Sequence, residues 1–408
     1  MRLCLFTMPF ELNRVNAWYH VRHVKVFILF TLVWVGLLGC RGASWENPNV
    51  PTILHVAPNT PGRIYLSSSF HNAEIGLNSP HTTIDWLRSL FGSIVTDNAG
   101  NYSMSGTYSL SGSGVGTYNE SGTYLLLPDG TLSYYSPDFN PLNGGISSAN
   151  DIFIYAGVSD LTEQIIGVGV EKGSGGYTLA SLYGDYYFAT LTRGNKWNYT
   201  EEGKIHFDGA GNYTISGICS ESGMGVNLPL NYSGTYLVNP DGTFSYSTPL
   251  PATFNGGISS TGGILVFGNV SDPNRQGFGI AVKVGPTNFS NASLNTTFRF
   301  VEILDGNADS PYPFADTPVP YTIARVGTVN FNGVNNFTSS GTYSSYTDGI
   351  IKSFSDSGQC QLNNDGTFSL ITLSDSLTRN GGISASGNVI VYSSVGSTTV
   401  KCIGIMIK

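Results

Sequence analysis

One unit is written three times in this 408-residue chain, and that repetition restricts the possible folds more than any other feature. The phrase NGGIS begins at Asn143, Asn255 and Asn380, and a DGT turn begins at Asp129, Asp241 and Asp365. SGTY starts at Ser121 and Ser233, and the third copy carries Ser357-Gly358-Gln359-Cys360 in register. The copies open on FGSIVTDNAGNYS from Phe91, GKIHFDGAGNYT from Gly203 and GTVNFNGVNNFT from Gly327. They close on IGVGVEK from Ile166, FGIAVKV from Phe278 and IGIMIK from Ile403. Opening and closing glycines lie 75 residues apart in copy one (Gly92 to Gly167), 76 in copy two (Gly203 to Gly279) and 77 in copy three (Gly327 to Gly404). The offset between copies widens from 111–112 to 124–125, and the added residues fall before Gly327, where the Pro-rich stretch Asp305–Tyr321 sits.

Copy two shows the unit most clearly. Tyr186-Tyr187-Phe188 mark a first strand, Lys204–Phe207 alternate, DGAGN turns into Tyr213–Ile218, and Gly234–Val238 lead through NPDG into Thr243–Tyr246. Gly257–Ser259, Ile264–Phe267 and Phe278–Val282 complete about eight strands in some 110 residues. Asp-Gly and Gly-Asn turns tolerate the positive φ that tight hairpins need. No helical period is long enough for a crossover, so neighbouring strands are antiparallel and form a meander. Closure of such a meander removes its exposed edges and leaves an interior filled by side chains or by one small ligand. The expectation is an all-β chain of three tandem eight-stranded antiparallel meander barrels. The alternative is a propeller or extended sheet with strands shared between repeats. The closing strand is apolar on both faces, with Ile403, Ile405 and Ile407 on one and Gly404 and Met406 on the other, so both faces should be covered. Its mid-strand glycine suggests a bend or the close approach of another backbone.

Strand number, unit length and turn style resemble the calycin group of lipocalin-like and avidin-like barrels, once per copy. The resemblance implies a fold able to hold a small ligand; the first-strand G-x-W signature of many lipocalins is absent. The turn phrases are also similar to those of bacterial repeat lipoproteins.

The N-terminal region carries an export pattern. Arg14, His20, Arg22, His23 and Lys25 precede a 13-residue apolar run, Val26 to Leu38, and then Gly39 and Cys40. A basic segment, a short apolar segment and a small residue before the cut describe a signal peptide. Thirteen residues fall short of the roughly 20 needed to span a bilayer. Leu37-Leu38-Gly39-Cys40 resembles the bacterial lipobox, which implies diacylglycerol on the Cys40 sulfur, cleavage before it and acylation of the new N-terminus. Arg41, where the family places Asp for inner-membrane retention, implies the outer membrane. The expected organisation is a signal peptide over 1–39, a lipidated tether over 40–62, and β-repeats over 63–172, 177–285 and 292–408.

Charged residues make up only 11% of the chain, which excludes a charge-rich disordered protein. Removing Arg2, Arg14, Arg22, Lys25 and Glu11 leaves 15 basic and 26 acidic residues, a net charge of −11 that argues against nucleic acid as a partner.

No catalytic set stands out. His55, His71, His81 and His206 fall in no HExxH, and neither a G-x-S-x-G elbow nor a P-loop occurs, so no enzymatic activity is expected. Tyr124 and Tyr236 are shared by copies and read as fold requirements rather than ligand contacts. Asp305, Asn307 and Asp309 have the 1-3-5 spacing of a calcium loop with Asp316 at position 12, but Ser310 stands where the loop needs Gly, and a solvated acidic loop is the better reading. No other cofactor is indicated. Cys219, Cys360 and Cys402 lack metal-ligand spacing, and a closed meander would keep Cys360 on strand four and Cys402 on strand eight apart, unbridged. The function expected is that of an envelope lipoprotein, anchored to the membrane, that binds a small apolar ligand or an envelope or surface partner without catalysis. A surface adhesin or spacer is the alternative, and an envelope enzyme the third. Hollow barrels would favour ligand binding, and exposed aromatic patches would favour adhesion.

Overall fold

In a computed structural model the described residues are 64–408, apart from 78–86, 137–139, 160–162, 195–196, 223, 250–252, 286–287, 307–320, 346–349 and 398. The first barrel comprises β1 (Ser69–Leu77), β2 (Leu87–Thr96), β3 (Asn101–Leu110), β4 (Gly114–Leu126), β5 (Thr131–Tyr135), β6 (Leu142–Ile146), β7 (Ile152–Ala156) and β8 (Gln164–Glu171). The second comprises β9 (Tyr183–Gly194), β10 (Trp197–Asp208), β11 (Asn212–Glu221), β12 (Gly225–Val238), β13 (Thr243–Ser247), β14 (Thr253–Ile258), β15 (Ile264–Asn269) and β16 (Arg275–Lys283). The third comprises β17 (Thr297–Gly306), β18 (Tyr321–Phe331), β19 (Asn336–Ser345), β20 (Ile350–Leu362), β21 (Thr367–Thr372), β22 (Thr378–Ile383), β23 (Val389–Ser393) and β24 (Val400–Ile407). Each set of eight is an antiparallel meander whose last strand pairs with its own first, so three closed barrels form and no strand is shared between repeats.

The DGT phrase is a hairpin device. Asp129, Asp241 and Asp365 each accept the main-chain N–H of the Thr two residues on, at 2.9, 3.0 and 3.0 Å. The intervening Gly130, Gly242 and Gly366 take φ of +84°, +84° and +88°, which L side chains avoid. Asp97 and Asp208 likewise cap the opening turn by accepting from the amides of Asn101 and Asn212 at 2.8 and 2.9 Å.

Inside, the barrels are packed with aromatic rings. In the second, Tyr246 stacks on Phe254 at 5.1 Å, and Phe267 meets Tyr246 edge-on at 5.4 Å. The mid-strand glycines of the closing strands belong to this packing. A Cβ on Gly167, Gly279 or Gly404 would fall 2.0–2.2 Å from the ring of Tyr155, Phe267 or Tyr392. The neighbour that excludes a side chain there is an aromatic ring of the adjacent strand, whereas the sequence suggested a bend or a second backbone. The shared tyrosines close one end of the barrel. Tyr124 donates to the carbonyls of Leu66 (3.0 Å) and Asp97 (2.8 Å), and Tyr236 to those of Leu179 (3.0 Å) and Leu182 (2.9 Å).

The outer faces pack as well. Ile75, Leu191 and Ile303 from the three first strands, with Val168, Ile280 and Ile405 from the three last, are fully buried in one apolar core between the barrels. The contacts run in one sense round a ring. β1 lies on β14–β16, β9 on β22–β24, and β17 on β6–β8, so each barrel offers its first strand to strands six to eight of a neighbour. Three unlike-faced contacts of the same kind therefore close on themselves. Main-chain bonds repeat the pattern: Ser260 N–H to Glu171 O (2.7 Å), Ala385 N–H to Lys283 O (3.0 Å) and Ser148 N–H to Lys408 O (2.9 Å).

NGGIS is the socket of this ring. A Cβ on its second glycine would fall 2.2 Å from His71 at Gly257, from Tyr187 at Gly382, and from Arg299 at Gly145. These three side chains occupy one register position on β1, β9 and β17, and each reaches toward the DGT turn of the barrel it enters. Tyr187 donates to the carbonyl of Asp365, Arg299 to that of Asp129, and His71 lies against Gly242.

Candidate ligand site in the middle barrel

Three cross-strand pairs fix the comparison between barrels. Glu74 pairs with Leu90 across β1–β2, Thr190 with Glu201 across β9–β10, and Glu302 with Arg325 across β17–β18. The same register positions thus face three interiors with different chemistry. All six side chains are buried.

In the first and third barrels this region is filled by neutralised charge. Arg88 pairs with Glu74 and lies 3.5 Å from Glu163, and Tyr155 donates to Glu74 at 2.8 Å. In the third, Arg325 lies 3.3 Å from Glu302, while Arg379 pairs with Glu302 and with Asp375 at 2.8 Å. Burial alone would raise the Asp375 carboxyl, but the Arg379 guanidinium, with the Thr372 hydroxyl and the Leu377 N–H, holds it down at about 2. Buried carboxylates are tolerable here because arginine supplies both charge and a fork of donors.

Among the described residues of the middle barrel no guanidinium is paired with its acid. Glu201 accepts from the Thr190 hydroxyl at 2.9 Å and the Tyr199 hydroxyl at 3.0 Å. Burial raises its pKa, with the hydroxyls of Thr190, Tyr199 and Tyr232 pulling the other way. In place of the arginine cluster there is a cavity of about 290 Å³, lined by Thr192, Tyr199, Glu201, Leu230, Tyr232 and Phe254 among others. It is small for a ligand pocket, and its walls are mainly apolar with a few converging polar groups, as such pockets are. Arg275 lines the cavity too, and Asp272 stands 3.9 Å from it.

The residues singled out in the sequence fall elsewhere. Cys40, His55 and His81 lie outside the described residues, as do Asn307, Asp309 and Asp316. Asp305 is buried between barrels, where Arg193 Nη1 and Asn198 Nδ2 each donate to one of its carboxylate oxygens at 2.9 Å. His71 sits in the inter-barrel socket, where burial lowers its pKa to about 4. His206 is exposed and meets Asp185 at 2.6 Å. Cys219, Cys360 and Cys402 are buried free thiols. Among the described residues no cluster of three or more His, Cys, Asp or Glu could hold a metal. Tyr65 and Tyr183 are the large aromatic side chains with high exposure among the described residues, so these residues display no broad aromatic patch.

Glu201 and Thr190 escaped the sequence reading because they break a pattern instead of forming one. Aligning the repeats through their opening glycines sets Glu201 two residues before Gly203, where the other copies carry Leu90 and Arg325. That substitution, in a chain with so few charges, was the available signal.

No family model matches the chain, and no curated protein does. Among solved structures it is similar to a point mutant of the vaccine antigen transferrin binding protein B from Haemophilus parasuis Hp5, at 9% identity and a TM-score of 0.26, covering 84% of this chain and 76% of that one. The isotype 1 transferrin binding protein B from serogroup B Neisseria meningitidis gives 9% identity, the same coverage and a TM-score of 0.24. At these scores the likeness carries no argument about function.

Proposed function

We propose that this chain is a non-catalytic, lipid-anchored envelope protein that holds one small, largely apolar ligand in its middle barrel. The observation that carries the reading is the difference between equivalent interiors. The first and third barrels place arginine and carboxylate in this region, and the middle barrel keeps a cavity of about 290 Å³. The first and third barrels then act as buttresses, since β9, β15 and β16 of the ligand barrel bury their outer faces against them. The anchor rests on the lipobox at Cys40 and its Arg41 neighbour, which point to the outer membrane.

The test is binding of an uncharged, environment-sensitive fluorophore such as N-phenyl-1-naphthylamine to the purified exported part. One site per chain is expected, and Thr192→Phe, which fills the cavity, should abolish it while leaving the melting temperature near that of the parent. Three equivalent sites, or no site, would overturn the reading. For the anchor, Cys40→Ala should release the protein from the membrane fraction; an intact mass without acyl chains would refute it.

A further inference from the structure

We propose that the ligand of the middle barrel is a small organic cation, an amine or a guanidinium carried on an apolar body, with Glu201 as its counter-ion. This rests on the reading of the cavity as a ligand site. The two sister barrels show what a buried carboxylate in this place requires. In one, the guanidinium of Arg88 answers Glu74; in the other, Arg325 and Arg379 answer Glu302. Arg325 stands at the register position of Glu201 itself, one cross-strand step from Glu302. The middle barrel carries its acid one cross-strand step away, on the second strand, with Thr190 and not a guanidinium opposite it, and a cavity opens beside it.

Among the described residues, the groups that face Glu201 supply no positive charge. They are Tyr199 on its own strand, Thr190 on β9, Tyr213 and Cys219 on β11, Tyr232 on β12 and Tyr246 on β13. All are neutral near pH 7, since burial pushes the phenols and the thiol upward. Arg275 lines the cavity, but Asp272 is the acid beside it. Burial makes such a carboxyl hold its proton more firmly than in water, and a cation beside it favours the ionised form. Tyr199, Tyr232 and Phe254 line the same space, and aromatic side chains are suited to hold an organic cation. A bound cation would draw the proton from Glu201 into solvent, so binding and proton release are coupled.

The experiment compares phenethylamine, phenethylguanidine and uncharged phenethyl alcohol by calorimetric titration of the wild-type protein and Glu201→Gln. At pH 8 both cations should bind wild type at least about tenfold more tightly than the alcohol. In Glu201→Gln that preference should vanish while the alcohol binds as before. In wild type the cation affinity should rise with pH and binding should release protons wherever the free site is protonated, an arm that needs no variant to fold. If the alcohol binds as tightly as the cations, or if the preference survives Glu201→Gln, the cation assignment is wrong and the pocket stands. If none of the three binds, both fall.

Discussion

Tyr187 leaves the outer face of the second barrel, covers Gly382 of the third, and donates its hydroxyl to the carbonyl of Asp365. His71 and Arg299 make the corresponding crossings into the second and first barrels. The crossing residue differs in each copy; the socket does not. That is why NGGIS and DGT are the phrases the copies share: a glycine must leave room for whatever side chain arrives, and the turn must present a carbonyl to it. The ring then holds the middle barrel by its outer wall and leaves its interior free to differ.

The socket should therefore be steric and coupled. Gly382 is absent from the positive-φ residues, so space rather than backbone conformation demands glycine there. Gly382→Ala puts a Cβ 2.2 Å from the Tyr187 ring and should cost about 1–3 kcal/mol in urea unfolding. Tyr187→Ala removes the obstacle, so the double variant should be less destabilised than the sum by at least about 0.5 kcal/mol. Strict additivity would show that the ring does not fill that socket.

A single repeat should not behave as a free-standing domain. Leu191, Val266, Phe278, Ile280 and Val282 of the second barrel are buried against its neighbours. Each would return to water in a fragment covering 177–285, at about 1.5–3 kcal/mol for a fully buried side chain of this kind. The fragment is expected to associate or to melt well below the whole, while the whole unfolds in one calorimetric transition. A monomeric fragment with the melting temperature of the parent would contradict this.

The barrels were legible in the sequence because meander connectivity is local: short turns rich in Gly, Asn and Asp recur along each copy and pair each strand with the next, and a strand apolar on both faces can only sit between two packed layers. Ile403, Ile405 and Ile407 announced that second layer but could not say what covered it. The ring was not legible for a physical reason, since its contacts join Gly257 to His71 and Gly145 to Arg299 across more than a hundred residues with no shared pattern on the entering side. The site was hidden for the opposite reason. Repeats advertise what they have in common, and Glu201 matters by differing from Leu90 and Arg325.

Glu202, next in sequence, faces outward into the cleft between the second and third barrels. Ser393 donates to it at 3.3 Å, and burial raises its pKa to about 8. The folded protein thus holds a proton there that the unfolded chain releases near pH 4.5, so this residue's effect on stability worsens as pH rises from about 4.5 to about 8 and levels off above. Glu202→Gln should be more stable than wild type at pH 9, by between about 1 and 4 kcal/mol, with little difference at pH 4. The ratio of the two unfolding curves across that range is the measurement, and a difference that does not change with pH would rule out the assignment.

The thiols give the last test. Cys360 takes the place of Tyr124 and Tyr236 on the fourth strand of its barrel, and Cys402 lies on the inward-facing side of the eighth. The eighth strand pairs with the seventh and the first, so the fourth lies on the opposite wall, and the two sulfurs are free. Burial pushes the Cys360 thiol up to about 11 and raises Cys402 further, while Cys219 is raised by burial beside Tyr199 in the second barrel. The reactive thiolate is therefore scarce and screened. Native protein at pH 8 should react with a disulfide reagent such as Ellman's many times more slowly than the denatured chain, in which all three become available. Peptide maps of unreduced protein should contain no Cys360–Cys402 link even after oxidative export, because geometry and not redox conditions forbids it. Finding that link would mean the third meander does not close through β17 and β24.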